Sequence, residues 1–251
     1  MYKRQINLST IRAGEYIDGN VSAAGLELVN KASSYTVFGD VKVSQRDSSL
    51  SDNLLQKSDN DGISYSLGLG KISGNFKFEL FSESKSPSYD PNDMGVNFTR
   101  NIRVHSLDLE YNRYNPFWIL NGSYNSFSLS LEQDYTTNEI LKKRYNGRFF
   151  FTNRNFNAMY VAMSSQIGDG IDLFESRVPG QKFVTQEFYY NGIGVSSDYR
   201  KTFALDGEIG YGHSYFSDYV TSKYFEVNLE PIIRVSDKLT PVSYTHLRAH
   251  E

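Results

Sequence analysis

Apolar and polar residues alternate one by one through much of this sequence, and a period of two indicates β-strands with one apolar face. In YFEVNLEPIIRVS, every second residue from Phe225 to Val235 is apolar or proline, and most residues between them are polar. The segments NFKFELFSES, YTVFGDVKVS and RYNGRFFFT repeat the pattern, although Phe150 interrupts it in the last. We count about eleven such segments, each of strand length.

The connections between these segments alternate in length. Short turns are expected near residues 32–34, 73–75, 115–116, 153–155, 199–202 and 236–239. Longer polar loops are expected over residues 47–61, 84–101, 133–141 and 167–182, and a medium loop over residues 217–222. In an up-and-down meander, alternate connections lie at the same end, so one rim carries turns and the other carries loops. The sequence therefore predicts an all-β fold, a partial antiparallel up-and-down transmembrane β-barrel of about eleven strands within residues 6–240.

The composition excludes helical membrane proteins, because no run approaches the ~18 apolar residues of a spanning helix. Inside hydrocarbon every backbone polar group must be paired, so a closed sheet is the remaining way to cross. The apolar face would then meet lipid, and Glu79, Arg148, Glu226 and Arg234 would face the lumen. A soluble β-sandwich also shows alternation and is the competing fold.

Aromatic residues make up 15% of the chain, and several lie near the predicted strand ends. Such residues form girdles at the two interfaces of membrane barrels. The residues expected in these girdles are Phe117, Trp118, Tyr199, Tyr215 and Tyr219.

Both ends of the chain depart from the pattern. Tyr2–Gln5 can be encoded by TAT AAG AGA CAG, and the reverse complement of this DNA, shifted by one base, encodes the Pro-Val-Ser-Tyr-Thr of residues 241–245. The pair resembles a transposon-end adapter used in sequencing libraries. We therefore expect residues 1–5 and 241–251 to be derived from adapter, the tail to lack a partner strand, and residues 6–240 to be a fragment of the barrel domain.

The segment SPSYDPNDMG, residues 86–95, lies in a predicted loop between two long strands. Its YDPNDMG core, from Tyr89 to Gly95, resembles the family of domain of unknown function 5916, and the spacing of the strands agrees in general. The resemblance implies an outer-membrane β-barrel of Gram-negative bacteria, usually preceded by a family-9 carbohydrate-binding module. It thereby implies glycan handling at the cell surface, and no catalytic residues are assigned in that family.

Tyr89, Asp90, Asn92 and Asp93 in this loop are the candidate ligand-binding residues. Pro91 forces the preceding aspartate into an extended conformation, and Asn92 and Asp93 favour Asx turns, so one interpretation is a rigid turn. The other is that the oxygen atoms of Asp90, Asn92 and Asp93 bind sugar hydroxyls or a hard cation such as calcium. The segments at residues 58–62 and 168–172 are expected to be solvated turns.

Signals of catalysis are weak. The chain has no cysteine, and no Gly-x-Ser-x-Gly elbow, zinc signature or phosphate-binding loop is found. His213 and Asp218 could form a dyad near a loop, but we expect His213 and His105 to be structural. The formal net charge of −3 gives no reason to expect nucleic acid.

The predicted function is that of a bacterial outer-membrane β-barrel that binds or passes glycan-derived ligands, without enzymatic chemistry and without a cofactor. The expected partners are outer-membrane lipid and carbohydrate, and no nucleic acid. A surface hydrolase, acting through the barrel or an upstream domain, and a soluble carbohydrate-binding β-sandwich are the alternatives.

Overall fold

A computed structural model describes residues 2–10, 18–47, 61–92, 99–178, 180–217, 220–236, 241, 243 and 245–250. Its strands are β1 (Tyr2–Thr10), β2 (Asp18–Val29), β3 (Tyr35–Asp47), β4 (Gly62–Lys71), β5 (Phe76–Lys85), β6 (Ile102–Arg113), β7 (Leu120–Asp134), β8 (Ile140–Asn153), β9 (Ala158–Gln166), β10 (Gly170–Asp172), β11 (Phe183–Thr185), β12 (Phe188–Ser196), β13 (Phe203–Ser217), β14 (Val220–Ile233) and β15 (Thr245–His250). A helix that could cross a bilayer is not found among these residues.

The main sheet has 13 strands, in the order β1 to β9 followed by β12 to β15, and every pairing in it is antiparallel. The β10–β11 pair forms a separate two-stranded sheet inside the connection from β9 to β12. The sheet is open in the described part of the chain, with β1 and β15 at its edges. The prediction of an all-β, antiparallel, up-and-down sheet is confirmed, and β2–β9 with β12–β14 match the predicted segments.

The sequence pattern did not predict β1, the first half of β2, or the β10–β11 pair. The tail residues Thr245–His250 pair with β14, from Tyr224↔His250 to Leu229↔Thr245. The expectation that the tail lacks a partner strand is therefore wrong for these six residues, since the free edge of β14 offers unpaired backbone groups to any extended segment. The adapter origin of the two ends stays a prediction.

Connections at the two ends of the sheet differ in length, as predicted. One end, the short-turn rim, holds the tight turns that follow β2, β4, β6, β8 and β12. The opposite end, the long-loop rim, holds the connections over residues 48–61, 86–101 and 167–187. The difference is less strict than predicted, because β7 and β8 are joined by the five residues 135–139 and β14 begins at Val220, directly beyond the end of β13 at Ser217.

The sheet is a single layer whose apolar side is its more exposed side. In β4, Ile63, Tyr65, Leu67 and Leu69 are exposed, Leu67 to 61%, whereas the glycines and serines between them are buried. The same apolar side continues across β12, β13 and β14, where Ile193, Ile209 and Val227 are register partners. We call this side the apolar face and the opposite side the polar face. Among the described residues, the buried apolar side chains are Tyr89, Ile102, Leu141 and Ala204.

Glu79, Arg148 and Glu226 lie on the polar face, as predicted, through the pairings Glu79↔Asp108, Ser126↔Arg148 and Gly210↔Glu226. Arg234 lies just beyond the strand, and its position toward the lumen stays a prediction. β14 ends at Ile233, and the Arg234 N–H donates to the Thr202 carbonyl 2.7 Å away, which places this residue in the short-turn rim.

Phe150 also lies on the polar face, where its ring centroid is 6.2 Å from that of Tyr124 on the adjacent strand. The break in alternation at Phe150 therefore places two aromatic side chains next to each other on the polar face.

The short-turn rim carries exposed aromatic side chains. Trp118 is 79% exposed in the β6–β7 turn, and Tyr199 is exposed in the β12–β13 turn. The guanidinium carbon of Arg113 lies over the Phe117 ring, 4.3 Å from the ring centroid. The side chain of Tyr215 and the whole of Tyr219 lie outside the described part of the chain.

Candidate functional site

The polar face carries charged residues on most of its strands, and acidic ones outnumber basic ones among the side chains that the structure describes. The acidic residues are Glu27, Asp40, Glu79, Glu83, Asp108, Glu110, Glu132, Asp134, Asp206, Glu208, Glu226 and Glu230. The basic residues are Lys42, Lys77, Lys85, Lys142, Arg144 and Arg148. Several pairs neutralise each other, such as Lys77 with Glu110 at 3.0 Å.

Four residues of β9, β12, β13 and β14 form a tyrosine–glutamate cluster on this face: Tyr160, Tyr190, Glu208 and Glu226. The Tyr190 hydroxyl oxygen lies 3.1 Å from Oε1 of Glu208 and 2.9 Å from Oε1 of Glu226. The hydroxyl has one proton and donates to one carboxylate at a time. Phenol rings beside carboxylates offer hydrogen-bond partners for hydroxyl groups together with flat apolar surfaces, and hydroxyl-rich ligands use both.

Aromatic rings on the polar face lie across glycines of the adjacent strand. A Cβ atom on Gly212 would lie 2.0 Å from Cε1 of Tyr224, and one on Gly194 would lie 2.1 Å from Cε1 of Tyr160. These distances are far below van der Waals contact, so only glycine leaves room for the ring. This packing covers glycine backbone that would otherwise weaken the strand.

The candidate loop residues lie against the polar face at the long-loop rim. Tyr89 is buried to 5% exposure, and its backbone lies over Gly62, where a Cβ would be 2.2 Å from the Tyr89 Cα. Burial raises the pKa of the Tyr89 hydroxyl, and the nearby Lys42 ammonium opposes this in part. The Asp90 N–H donates to Ser44 Oγ at 3.0 Å, which fixes the loop to β3.

Asp90 forms the Asx turn of this loop. Its Oδ1 accepts hydrogen bonds from the backbone N–H of Asn92 at 3.1 Å and from the Asn92 side-chain amide at 2.6 Å. The structure therefore brings Tyr89, Asp90 and Asn92 together in a rigid turn, and Asp93 lies outside the described residues. Binding of sugar or a cation by these residues stays a prediction.

The expectation of a solvated turn at residues 168–172 is wrong for its second half. Gly170–Asp172 form β10, and the Asp172 carboxylate pairs with the Lys142 ammonium at 2.8 Å. Burial tends to raise the pKa of the Asp172 carboxyl, but Lys142 and the N–H groups of Phe174 and Glu175 outweigh it, so the pKa is lowered. In the segment at residues 58–62, Asp61 and Gly62 are described, and Asp61 is exposed.

His105 and His213 lie on the apolar face, away from the tyrosine–glutamate cluster. His213 pairs in register with Tyr189, and its Nδ1 lies 3.1 Å from the Tyr189 hydroxyl oxygen. His105 lies opposite Leu131 on β7. The proposed dyad partner Asp218 is outside the described residues. Groups of three or more histidine, aspartate or glutamate side chains suited to a metal ion are not found in the described ranges.

The sequence patterns missed a cavity at the long-loop rim, between the start of β6 and the connection from β9 to β12. It has a volume of about 480 Å³ and is lined by cationic and apolar side chains. The only sequence signal for it is the occurrence of Arg177 and Lys182 in a long loop.

A family model described as Domain of unknown function (DUF5916) matches residues 4–250, which is nearly the whole chain. The chain belongs to the DUF5916 family. No curated protein sequence matches it. Among solved structures, this DUF5916 chain is similar to OccAB4 of Acinetobacter baumannii, over 99% of this chain and 93% of that one, with 11% identity and a TM-score of 0.37.

Proposed function

We propose that this chain forms part of an outer-membrane β-barrel that binds or passes glycan-derived ligands at the cell surface. The observation that carries the proposal is the exposed apolar face of a single-layer sheet. In water such a face is normally covered by a second layer, as in a β-sandwich. In a bilayer, acyl chains solvate the same face, and closure of the sheet pairs its backbone groups.

The large extent of the apolar face supports this proposal. Ile193, Val195, Ile209, Phe225 and Leu229 are each about half exposed on three neighbouring strands. Isolated exposed apolar residues are common, but continuous patches mark interaction surfaces. The exposed aromatic residues of the short-turn rim lie where a barrel meets the lipid headgroups.

The polar face supports the ligand part of the proposal. The tyrosine–glutamate cluster offers two phenol rings with their hydroxyls and two carboxylates on one surface, and buried serines of β4 lie on the same side. We propose binding or passage without enzymatic chemistry; His213, the histidine considered for a catalytic dyad, lies on the opposite face from this cluster.

The membrane part of the proposal is tested by a spin-label scan. The chain has no cysteine, so each introduced cysteine is a unique labelling site. Labels at Phe225, Val227 and Leu229 should collide with oxygen dissolved in the lipid phase, whereas labels at Glu226 and Asn228 should collide with a water-soluble nickel chelate. The matched control is the same set of labels in denaturant. Uniform accessibility along the strand in liposomes would contradict the proposal.

The glycan part is tested by isothermal titration calorimetry of the folded chain in detergent micelles with neutral and acidic oligosaccharides. Glu226→Gln should weaken the binding of a ligand held at the tyrosine–glutamate cluster. Glu27→Gln, an exposed carboxylate of the polar face on β2, is the matched control. Equal binding by both variants would contradict a role for the cluster.

A further inference from the structure

The cavity at the long-loop rim has two walls made by different parts of the chain. Arg100, Asn101 and Asp134 form one wall, where β6 begins and β7 ends. The other wall lies between β10 and β11 and is formed by Leu173, Phe174, Arg177, Val178, Gly180, Gln181 and Lys182. Its volume of about 480 Å³ is within the range of roughly 300–1,000 Å³ typical of small-ligand sites.

The first wall is held by hydrogen bonds. The Asn101 side-chain amide donates to Asp134 Oδ2 at 2.7 Å, and the Tyr135 N–H donates to the Asn101 carbonyl at 3.0 Å. The other carboxylate oxygen of Asp134 accepts the N–H groups of Thr136 and Thr137 at 2.8 and 2.7 Å. Asp134 therefore accepts three hydrogen bonds from protein donors and acts as a structural group.

The second wall is held to the sheet at both of its ends. At the β10 end, the Lys142–Asp172 ion pair at 2.8 Å fixes it to β8, and at the β11 end Lys182 pairs with Glu139 of the β7–β8 turn. Within the wall, Ser176 Oγ donates to the Gln181 carbonyl at 2.8 Å.

The lining has an excess of positive charge. Arg100, Arg177 and Lys182 line it with Asp134 as the acidic residue, and since Lys182 is paired with Glu139, the two arginines set against Asp134 leave an excess of one positive charge. Within the described part of the chain, neither Arg100 nor Arg177 forms a salt bridge. Guanidinium groups bind carboxylate, sulfate and phosphate oxygens through paired hydrogen bonds.

Apolar side chains complete the lining. Leu173, Phe174 and Val178 lie on the same wall as Arg177. A cavity that combines cations with an aromatic and two aliphatic side chains is suited to a ring that carries an anionic group and also has an apolar C–H face.

We propose that this cavity binds the anionic group of an acidic glycan unit. The inference rests on the proposed function and deepens it, because it gives the class of glycan. A carboxylate and a sulfate share the required chemistry, so the test contains an arm for each.

The test is calorimetric titration of the full chain, folded in detergent micelles, with three probes of matched length: an oligogalacturonate, a sulfated oligosaccharide and a neutral maltooligosaccharide. At least one acidic probe should bind roughly ten-fold more tightly than the neutral one, and added salt should weaken it. Arg177→Gln should lower the affinity for that probe by roughly ten-fold or more. Arg100→Gln provides a second variant should the first fail to fold.

Lys143→Gln is the matched control, since Lys143 is an exposed cation near the same rim but outside the cavity. It should leave the affinity unchanged. Equal binding of acidic and neutral probes would overturn the inference, as would equal losses in the Arg177 and Lys143 variants or no binding of either acidic probe. These outcomes are distinct from failure of the membrane proposal, which the spin-label scan measures without any glycan.

Discussion

Replacement of Ile209 by arginine should destabilise the folded chain strongly in a bilayer. Ile209 is 54% exposed, and it lies between Ile193 and Val227 on the apolar face. It is the seventh residue of β13, which begins with Phe203, so it lies about 20 Å along the strand at ~3.4 Å per residue. With a tilt of about 40°, this is about 15 Å from the short-turn rim, near the middle of a ~30 Å hydrocarbon core.

An arginine on the lipid-facing side at that depth costs roughly 2–4 kcal/mol of folding free energy. In water the same exposed substitution would change the free energy of unfolding by only about 0.5 kcal/mol. The two environments therefore predict clearly different results from one substitution. Ile233→Arg, near the end of β14 at the short-turn rim, should cost only about 0–1 kcal/mol.

The assay is reversible denaturant unfolding in liposomes, followed by the fluorescence of the single tryptophan, Trp118. Ser128→Arg is the control on the polar face, because Ser128 lies near the middle of β7 and its register partners are Asp108 and Asn146. It should be tolerated. If Ile209→Arg and Ser128→Arg changed the free energy of unfolding by the same amount, the assignment of the two faces would be refuted.

Three further predictions concern the packing and the short-turn rim. Gly212→Ala should destabilise the chain by about 1–3 kcal/mol, because the new methyl group would lie 2.0 Å from the Tyr224 ring. The control is Gly207→Ala, whose methyl group would lie 3.4 Å from its nearest atom, and it should be nearly neutral in the same unfolding assay. Fluorescence of Trp118 should be quenched more by lipids brominated near the headgroup than by lipids brominated deep in the chain, and equal quenching would contradict an interfacial position. The Asp198 carboxyl should titrate in NMR with a pKa of about 2, because the Arg200 side chain and N–H donate to it. Since this pKa is depressed from 3.8, the stabilisation is present above pH ~3.8 and is lost as the pH falls through about 2. Arg200→Gln should raise the pKa toward 3.8, and an unchanged value would show that the pairing does not form.

Much of the fold was predictable because the physical signal is local. A strand with one apolar face repeats every two residues, so the alternation from Phe225 to Ile233 gives both the strand and the orientation of its side chains. The first half of β2 was not predicted, since its residues DGNVSAAG are mostly small or polar and give no alternation. The β10–β11 pair was missed because three-residue strands are too short for a period to show.

The candidate site was less predictable because its geometry depends on contacts between distant segments. The YDPNDMG motif indicated a rigid turn, and the structure contains that turn at Asp90 and Asn92. Nothing in the sequence showed that Tyr89 would be buried over Gly62. The cationic cavity joins residues that are more than seventy positions apart, Arg100 and Arg177, so no local pattern could reveal it.

The tyrosine rings that lie across Gly194 and Gly212 affect the width of a passage lined by the polar face. An aromatic side chain perpendicular to the sheet would project into the path of a solute. These rings instead fill the space that a side chain at each glycine would occupy. The tyrosine rings therefore lie flat against the sheet, and the backbone beneath them determines how far they project from it. In a relative with a bulkier residue at either glycine, the ring would be lifted, and larger solutes would be excluded without any change in the number of strands.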